Sequence, residues 1–419
     1  MALDTSLNKA RFAWWENDAA VQRFVCDLIT AELSALRPTG PALPSLPWPE
    51  EMHIGRDLSA DSLELMALAS ALAEAVHMHE SGIEDYLLAR QTISDWVGIT
   101  QTALSRFSVR MTFRTSGSTG MPKSCVHPLE SLCQEIGELM PLIPRPERIF
   151  FAVPSHHIYG FLFTILLPHM GGLNPEALID LRTSSTARLA QELRDGDLVI
   201  GHPEFWRAAA RTVPAFAPGV TGVTSTAPCP DQVTAALEDV GLTTLLQVYG
   251  SSETAGVGWR NGAALPYTLF SYWRRGEAGS GTSGTLVRNQ NAGELFHCQD
   301  SLVWLDERRF VPTGRIDQAV QVGGINVFPD RVKRELLMHP EVHEASVRLM
   351  HPSEGNRLKA FVVPRDVNAD QTLLHAALDM WVRERLTAPE RPRAFSFGAS
   401  LPVDAKGKPA DWRLPDYKT

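Results

Sequence analysis

The chain has 419 residues, 44% apolar and 21% charged, enough for two or three domains with the makeup of a globular enzyme. A net charge of −9 with no basic stripe argues against a nucleic-acid partner. Five scattered cysteines (Cys26, Cys125, Cys133, Cys229, Cys298) include no C-x-x-C pair, so they suit a reducing compartment and offer neither a disulfide framework nor a zinc site.

In chain order, the start "MALDTSLNKARFAWW" lacks a basic segment followed by an apolar core, as a secretory signal would have. The first hundred residues read helical. "DAAVQRFVCDLITAEL" is amphipathic, "RPTGPALPSLPWPEE" is a proline-rich connection, "DSLELMALASALAEAVHM" is a second helix, and "IEDYLLARQTISDWV" holds one or two more. From about Arg110, β-branched runs ("RIFFAVP", "DLVIGH", "GVTGVTST", "LLQVYGSS") alternate with helical segments ("ARLAQELRD", "EFWRAAARTV", "DQVTAALEDVG"). Such alternation predicts an α/β sheet whose ligands gather at the carboxyl ends of its strands. The apolar run "GFLFTILLPHMGGL" is broken by Pro168 and His169 and is too short to span a bilayer, so no membrane insertion and a cytoplasmic location are expected. A smaller α+β unit follows "VPTGRIDQ": strand "AVQVGGINV", helix "PDRVKRELLMHP", strands "EASVRLM" and "LKAFVVP", helix "QTLLHAALDMWVRERL" and strand "AFSFGASLP", then a polar tail. The expected division is a helical region at 1–105, a core at 106–316 and a C-terminal domain at 317–419.

Four stretches carry chemistry. "FRTSGSTGMPKSCVHP" is rich in Gly, Ser and Thr, but it is no P-loop: two residues separate Gly117 from Gly120, and Pro122 precedes Lys123. Such a loop can still wrap anionic oxygens with backbone N–H groups and hydroxyls, with Lys123 adding a point charge; the plain alternative is a solvated turn. In "QVYGSSETAG", Tyr249 would stack on a flat base, Gly250 would admit a ligand closely, and Glu253 would hold Mg²⁺ against phosphates, unless the segment is only a strand end followed by an N-capped helix. Asp300 stands fifteen residues before Arg315, a pairing suited to ribose hydroxyls or to a surface salt bridge. "LPVDAKGKPADWR" places Lys408 on a glycine-hinged loop that would otherwise pass for a disordered tail.

In this order the four stretches resemble the adenylate-forming superfamily: acyl- and aryl-CoA ligases, luciferases and peptide-synthetase adenylation domains. "TSGSTGMPK" is similar to its phosphate loop, "VYGSSE" to its Tyr-Gly-x-Thr-Glu motif with Ser252 replacing threonine, and Asp300 with "GRID" to its ribose aspartate and hinge segment. "GGINVFPDRV" resembles the opening of its mobile C-terminal domain, and Lys408 falls on its catalytic lysine. The resemblance runs from about Phe113 to Arg413. It implies an adenylate-forming α/β core, shortened here, with a small mobile α+β domain.

The resemblance also implies roles. Thr115, Ser116, Gly117, Ser118, Thr119, Gly120 and Lys123 would grip the β- and γ-phosphates of ATP. Thr226, Ala227, Pro228, Tyr249, Gly250, Ser252, Asp300 and Arg315 would hold adenine and ribose, and Glu253 would hold Mg²⁺. Lys408 would meet the α-phosphate and the carboxylate oxygen, Asp317 would be the hinge, and Gly324 would line the path of a phosphopantetheine arm. "VPSHHIYGF" puts His157 beside the acyl pocket, with a buried, hydrogen-bonded structural histidine as the alternative.

Departures narrow this picture. No aspartate near "VPSHHIYGF" stands ready for an α-ammonium, so an aryl or fatty acid is expected, with a lean to a hydroxybenzoate in a pocket including His157, Tyr159 and Phe205. Gln321 occupies a place often basic in the superfamily, and the 114 residues before the phosphate loop are fewer than relatives usually carry. "DLSADSLELMALASAL" resembles the start of an acyl carrier protein's second helix, which would make Ser62 a phosphopantetheine attachment site; a capping box of Asp61 and Glu64 explains the same residues without modification. The expected activity is AMP-forming ligation of a carboxylic acid, passed to phosphopantetheine on an acyl carrier protein in preference to coenzyme A. A non-catalytic adenylate-binding scaffold is the rival, and the joint presence of Lys123, Glu253, Asp300 and Lys408 speaks against it.

Overall fold

The "IFF" run of Ile149–Phe151 looks uniformly apolar, yet its residues serve two cores. Ile149 and Phe151 pack with the N-terminal helices, and Phe150 packs with helices Pro203–Thr212 and Asp231–Asp239 on the opposite face. The same alternation splits Leu198 and Ile200 from Val199, and Leu246 and Val248 from Leu245. A sheet buried on both faces needs such continuous apolar runs, because side chains alternate across the pleat.

In this computed structural model the described residues are 12–37, 40–115, 123–276, 283–288, 295–315, 319–323, 325–351, 354–366, 368–403 and 410–414. They fall into two compact units, with Ala42–Thr115 and Lys123–Gly314 in the larger. The larger unit also takes in the Asp18–Leu36 helix, and the second takes in the residues after Gly314.

Among the described residues, the large sheet has 11 strands. Its parallel half runs Leu178–Asp180, Ile149–Phe151, Leu198–Gly201, Thr221–Thr224, Thr244–Ser251. At Thr244–Ser251 the sheet changes character and pairs antiparallel with Ala255–Asn261. It then continues through Tyr267–Leu269, Arg309–Arg315, Leu295–Trp304, Ser283–Arg288 and Trp273–Arg275. A separate hairpin, Arg110–Thr115 with Lys123–Pro128, brackets the glycine–serine loop.

The N-terminal helices Asp18–Leu36, Ser62–Ala75 and Ile93–Arg106 share one hydrophobic core with this sheet. Trp14, Phe24, Phe113 and Phe161 form its aromatic centre; the Trp14 and Phe161 ring centroids are 5.2 Å apart at 87°, an edge-to-face contact. Asp61 and Glu64 form the expected capping box at Ser62–Ala75, and Ser62 is the exposed first helical residue.

The second unit has its own core on strands Val342–Leu349, Leu358–Pro364 and Ala394–Phe397, with helices Pro329–Leu337 and Gln371–Arg385. "AVQVGGINV", expected as one strand, is a hairpin of Val320–Val322 and Ile325–Val327, turned at Gly323, whose φ of +60° suits glycine. No described helix is long and apolar enough to cross a membrane.

Candidate active site

Parallel strands share a direction, so the loops leaving their carboxyl ends line one edge of the sheet. After Ile149–Phe151 that edge carries Ser155, His156 and His157; after Leu198–Gly201, His202; after Thr221–Thr224, Thr226 to Pro228; and after the residues paired with Thr224, Tyr249 to Glu253. Three motifs far apart in sequence thus meet along one line.

The segment "YGSSETAG" is a tight hairpin, and no helix follows the strand. A Cβ on Gly250 would sit 2.2 Å from the Ala255 carbonyl oxygen, so the glycine lets the hairpin close on itself. Ser251 and Thr254 lock the turn reciprocally: Thr254 Oγ1 accepts from the Ser251 N–H at 3.1 Å, and Ser251 Oγ accepts from the Thr254 N–H at 3.2 Å. His127 Nε2 donates to the Ser252 carbonyl at 2.6 Å. Burial holds His127 below the ordinary histidine range, so this bond is made by a neutral ring.

The turn delivers Glu253 to Lys123, Nζ to Oε1 2.9 Å. Burial alone would raise the Glu253 carboxyl, but the Lys123 hydrogen bond and charge hold it below its usual value; the same bond raises Lys123 despite its partial burial. An ionised, partly open carboxylate is a fit donor for a hard divalent cation. Among the described residues no group of three or more His, Cys, Asp or Glu is placed to hold a metal. One carboxylate completed by substrate phosphates is the arrangement magnesium commonly uses.

Tyr249 Oη donates to Asp300 Oδ2 at 2.6 Å, joining the expected base-stacking and ribose-binding residues. The Tyr249 ring lies against Phe310, with centroids 5.3 Å apart, and against Tyr267. Thr226, in the segment expected to meet adenine, has φ +76°; a β-branched residue in the left-handed region stores strain of about 1–3 kcal/mol, a mark of functional sites. Beside it the buried Thr224 hydroxyl has no hydrogen-bond partner among the described residues.

In the turn expected to meet the acid, the His156 and His157 rings lie 4.1 Å apart. His157 is exposed, and desolvation by the surrounding protein lowers it below the ordinary histidine range. Burial also lowers His156, whose Nδ1 has no partner among the described residues. Tyr159 and Phe205 are core residues: the Tyr159 hydroxyl lies 2.9 Å from the Gly201 carbonyl and 3.0 Å from that of Val223, and Phe205 packs edge-on to Trp206.

Two buried carboxylates support these loops. Glu135 Oε2 accepts from the Gly256 N–H at 2.8 Å, and burial pushes its carboxyl up to about 7. Asp27 accepts from both the N–H and the hydroxyl of Ser155 at 2.7 Å. Neither was singled out in the sequence, because a lone carboxylate in an amphipathic helix reads as part of its solvated face.

Ser116, Gly117, Ser118, Thr119, Gly120, Asp317, Gly324 and Lys408 lie outside the described residues, as do the side chains of Thr115 and Arg315. In the second unit the buried Lys359 binds Glu354 at 2.9 Å and donates to the Trp412 carbonyl at 2.5 Å.

Comparison with known proteins matches residues 49–292 to the AMP-binding enzyme family and 334–408 to the AMP-binding enzyme C-terminal domain. The 4-coumarate–CoA ligase of Halorhodospira halophila is 38% identical over 352 residues, 84% of this chain and 88% of that protein. The 4-coumarate–CoA ligase of Rhodobacter capsulatus is 36% identical over 403 residues, 94% of this chain and 100% of that protein. The amide bond synthetase McbA from Marinactinospora thermotolerans shares the fold at 17% identity, with a TM-score of 0.58 over 93% of this chain and 92% of that one. The chain belongs to the AMP-binding enzyme family, in the adenylate-forming superfamily, and is an ATP-dependent, AMP-forming acid–thiol ligase.

Proposed function

We propose that the protein activates a hydroxycinnamate-type aryl acid, with 4-coumarate the first candidate, and passes it to coenzyme A. The observation that carries this reading is the Lys123–Glu253 pair, which brings the phosphate-loop cation to the carboxylate expected to hold magnesium. A scaffold that only binds adenylate needs neither. The aryl acid and the acceptor rest on two relatives of matching length, both named 4-coumarate–CoA ligase. They draw the reading away from a hydroxybenzoate and a carrier protein. Ser62 opens a helix packed into the larger unit's core, within the residues matched to the AMP-binding enzyme family, which also favours a free thiol acceptor.

In the first half-reaction a carboxylate oxygen attacks the α-phosphorus of ATP, the bond to the bridging oxygen breaks, and pyrophosphate leaves. Two anions must meet, so the main task of the protein is neutralising charge. Lys123 and the Thr115–Gly120 segment would hold the β- and γ-phosphates. Tyr249, Asp300 and Arg315, with Thr226 to Pro228, would hold the adenosine. Magnesium bound at Glu253 would add positive charge to the phosphates. Lys408 would bridge the carboxylate and the α-phosphate, and rotation about Asp317 would then bring Gly324 beside the incoming thiol. The thiol attacks the acyl carbon and AMP leaves. Neutral His156 and His157 suit an uncharged phenol, since each ring offers a donor and an acceptor.

Exchange of labelled pyrophosphate into ATP across a panel of aryl, cinnamic and fatty acids tests this. Exchange strongest with 4-coumarate supports the reading. Folded protein that exchanges with no acid favours the scaffold.

A further inference from the structure

We infer that Asp27, on the N-terminal helix Asp18–Leu36, is a positioning residue for the acid-binding turn, acting through Ser155 on the His156–His157 pair. This rests on the reading that the acid binds at this turn.

Asp27 is 2% exposed, and a buried carboxylate is costly unless its oxygens are paired. Both donors of Ser155, the N–H and the hydroxyl, converge on Oδ2 at 2.7 Å, and Arg182 Nη1 donates to Oδ1 at 2.5 Å. Arg182 in turn grips Asp180, at the end of strand Leu178–Asp180, so the carboxylate is fixed to the sheet as well as to its helix. Arg23, one turn earlier on the same helix, donates to the Thr164 carbonyl at 2.9 Å. Its guanidinium and that of Arg182 lie 5.4 and 5.5 Å from the centroid of Phe151, the last residue of the strand that enters the turn.

Two donors on one oxygen fix both the backbone and the side chain of Ser155, leaving His156 and His157 little freedom. The far side of the turn is held by contact: a Cβ on Gly160 would fall 1.9 Å from the Pro154 carbonyl oxygen, so the helix entered at Ile158 presses directly on the turn. Asp27 is also the negative charge that opposes desolvation at His157. A helix that precedes the phosphate loop by some eighty residues thereby sets the orientation of two rings at the acid site.

Ser155→Ala removes the hydroxyl while keeping the backbone N–H, and Asp27→Asn keeps an acceptor while removing the charge. In pyrophosphate exchange with 4-coumarate, both variants are expected to raise KM for the acid about five- to tenfold, with KM for ATP within about twofold of wild type. In ¹⁵N-histidine NMR spectra the His156 and His157 ring signals are expected to shift in Ser155→Ala, whichever acid the enzyme uses. An acid KM equal to wild type, a parallel rise for both substrates, or unmoved histidine signals in a folded variant would each overturn the inference. Wild-type protein that exchanges with no acid, while Ser155→Ala still moves the ring signals, would count against the proposed function and leave the positioning role standing.

Discussion

The Tyr249 hydroxyl, on the switch strand Thr244–Ser251, and the Asp300 carboxylate, on Leu295–Trp304, meet at 2.6 Å although three strands separate theirs in the sheet order. The ring proposed to stack on the base and the carboxylate proposed to bind ribose are therefore joined by a hydrogen bond. Tyr249→Phe keeps the ring and loses this bond. Its KM for ATP should rise about five- to tenfold, the size of one ordinary hydrogen bond within a protein, with KM for the acid unchanged. A variant with wild-type KM for ATP would show that the contact plays no part in nucleotide binding.

Lys123 and Glu253 separate function from stability. Lys123 is more than half exposed and Glu253 about a quarter, so the pair adds at most about 1 kcal/mol to folding. Lys123→Met and Glu253→Gln should each keep Tm within a few degrees. Both should lower kcat for exchange by about 10²–10³, the usual effect of removing one charge-stabilising group from a phosphoryl-transfer site. Loss of Tm with little loss of rate would make the pair structural.

Glu135 predicts a pH dependence of stability. Its folded pKa of about 7 lies above the 4.5 of a free glutamate, so between those values the folded state retains a proton that the unfolded state releases. This contribution therefore falls as pH rises from 4.5 to 7 and is level above, a change of at most about 3 kcal/mol. In Glu135→Gln the loss is absent, so its Tm minus that of wild type should climb across that window and then flatten. A difference independent of pH, measured by thermal scans in matched buffers, would place the carboxyl near its ordinary value.

Lys408→Ala should abolish adenylation and leave ATP affinity within about threefold, because the lysine is assigned to the reacting α-phosphate and not to the nucleotide as a whole. Wild-type exchange in that variant would remove Lys408 from the chemistry.

The parallel half of the sheet was legible in the sequence because burial on both faces demands apolar β-branched runs such as "DLVIGH". The antiparallel half was not: Ala255–Asn261, Tyr267–Leu269 and Arg309–Arg315 are short or mixed in polarity, and only pairing makes them strands. At the site, Tyr249, Glu253, Asp300 and Lys123 stood out because each sits in a motif whose residue types match a chemical task. Glu135, Asp27 and His127 stayed hidden. Their function depends on what lies across the fold, Gly256, Ser155 and Ser252 respectively, and no local pattern encodes such a partner. Gly250 also makes room for the Ala255 carbonyl, within the protein's own hairpin, a partner that its own motif does not announce.

The most direct test of the central claim is to identify the products when the protein is given 4-coumarate, ATP, Mg²⁺ and coenzyme A. Mass spectrometry and nucleotide chromatography should find 4-coumaroyl–CoA, AMP and pyrophosphate in equal amounts. Thioester accompanied by ADP and phosphate, or ATP consumption independent of any acid, would contradict an acyl-adenylate route.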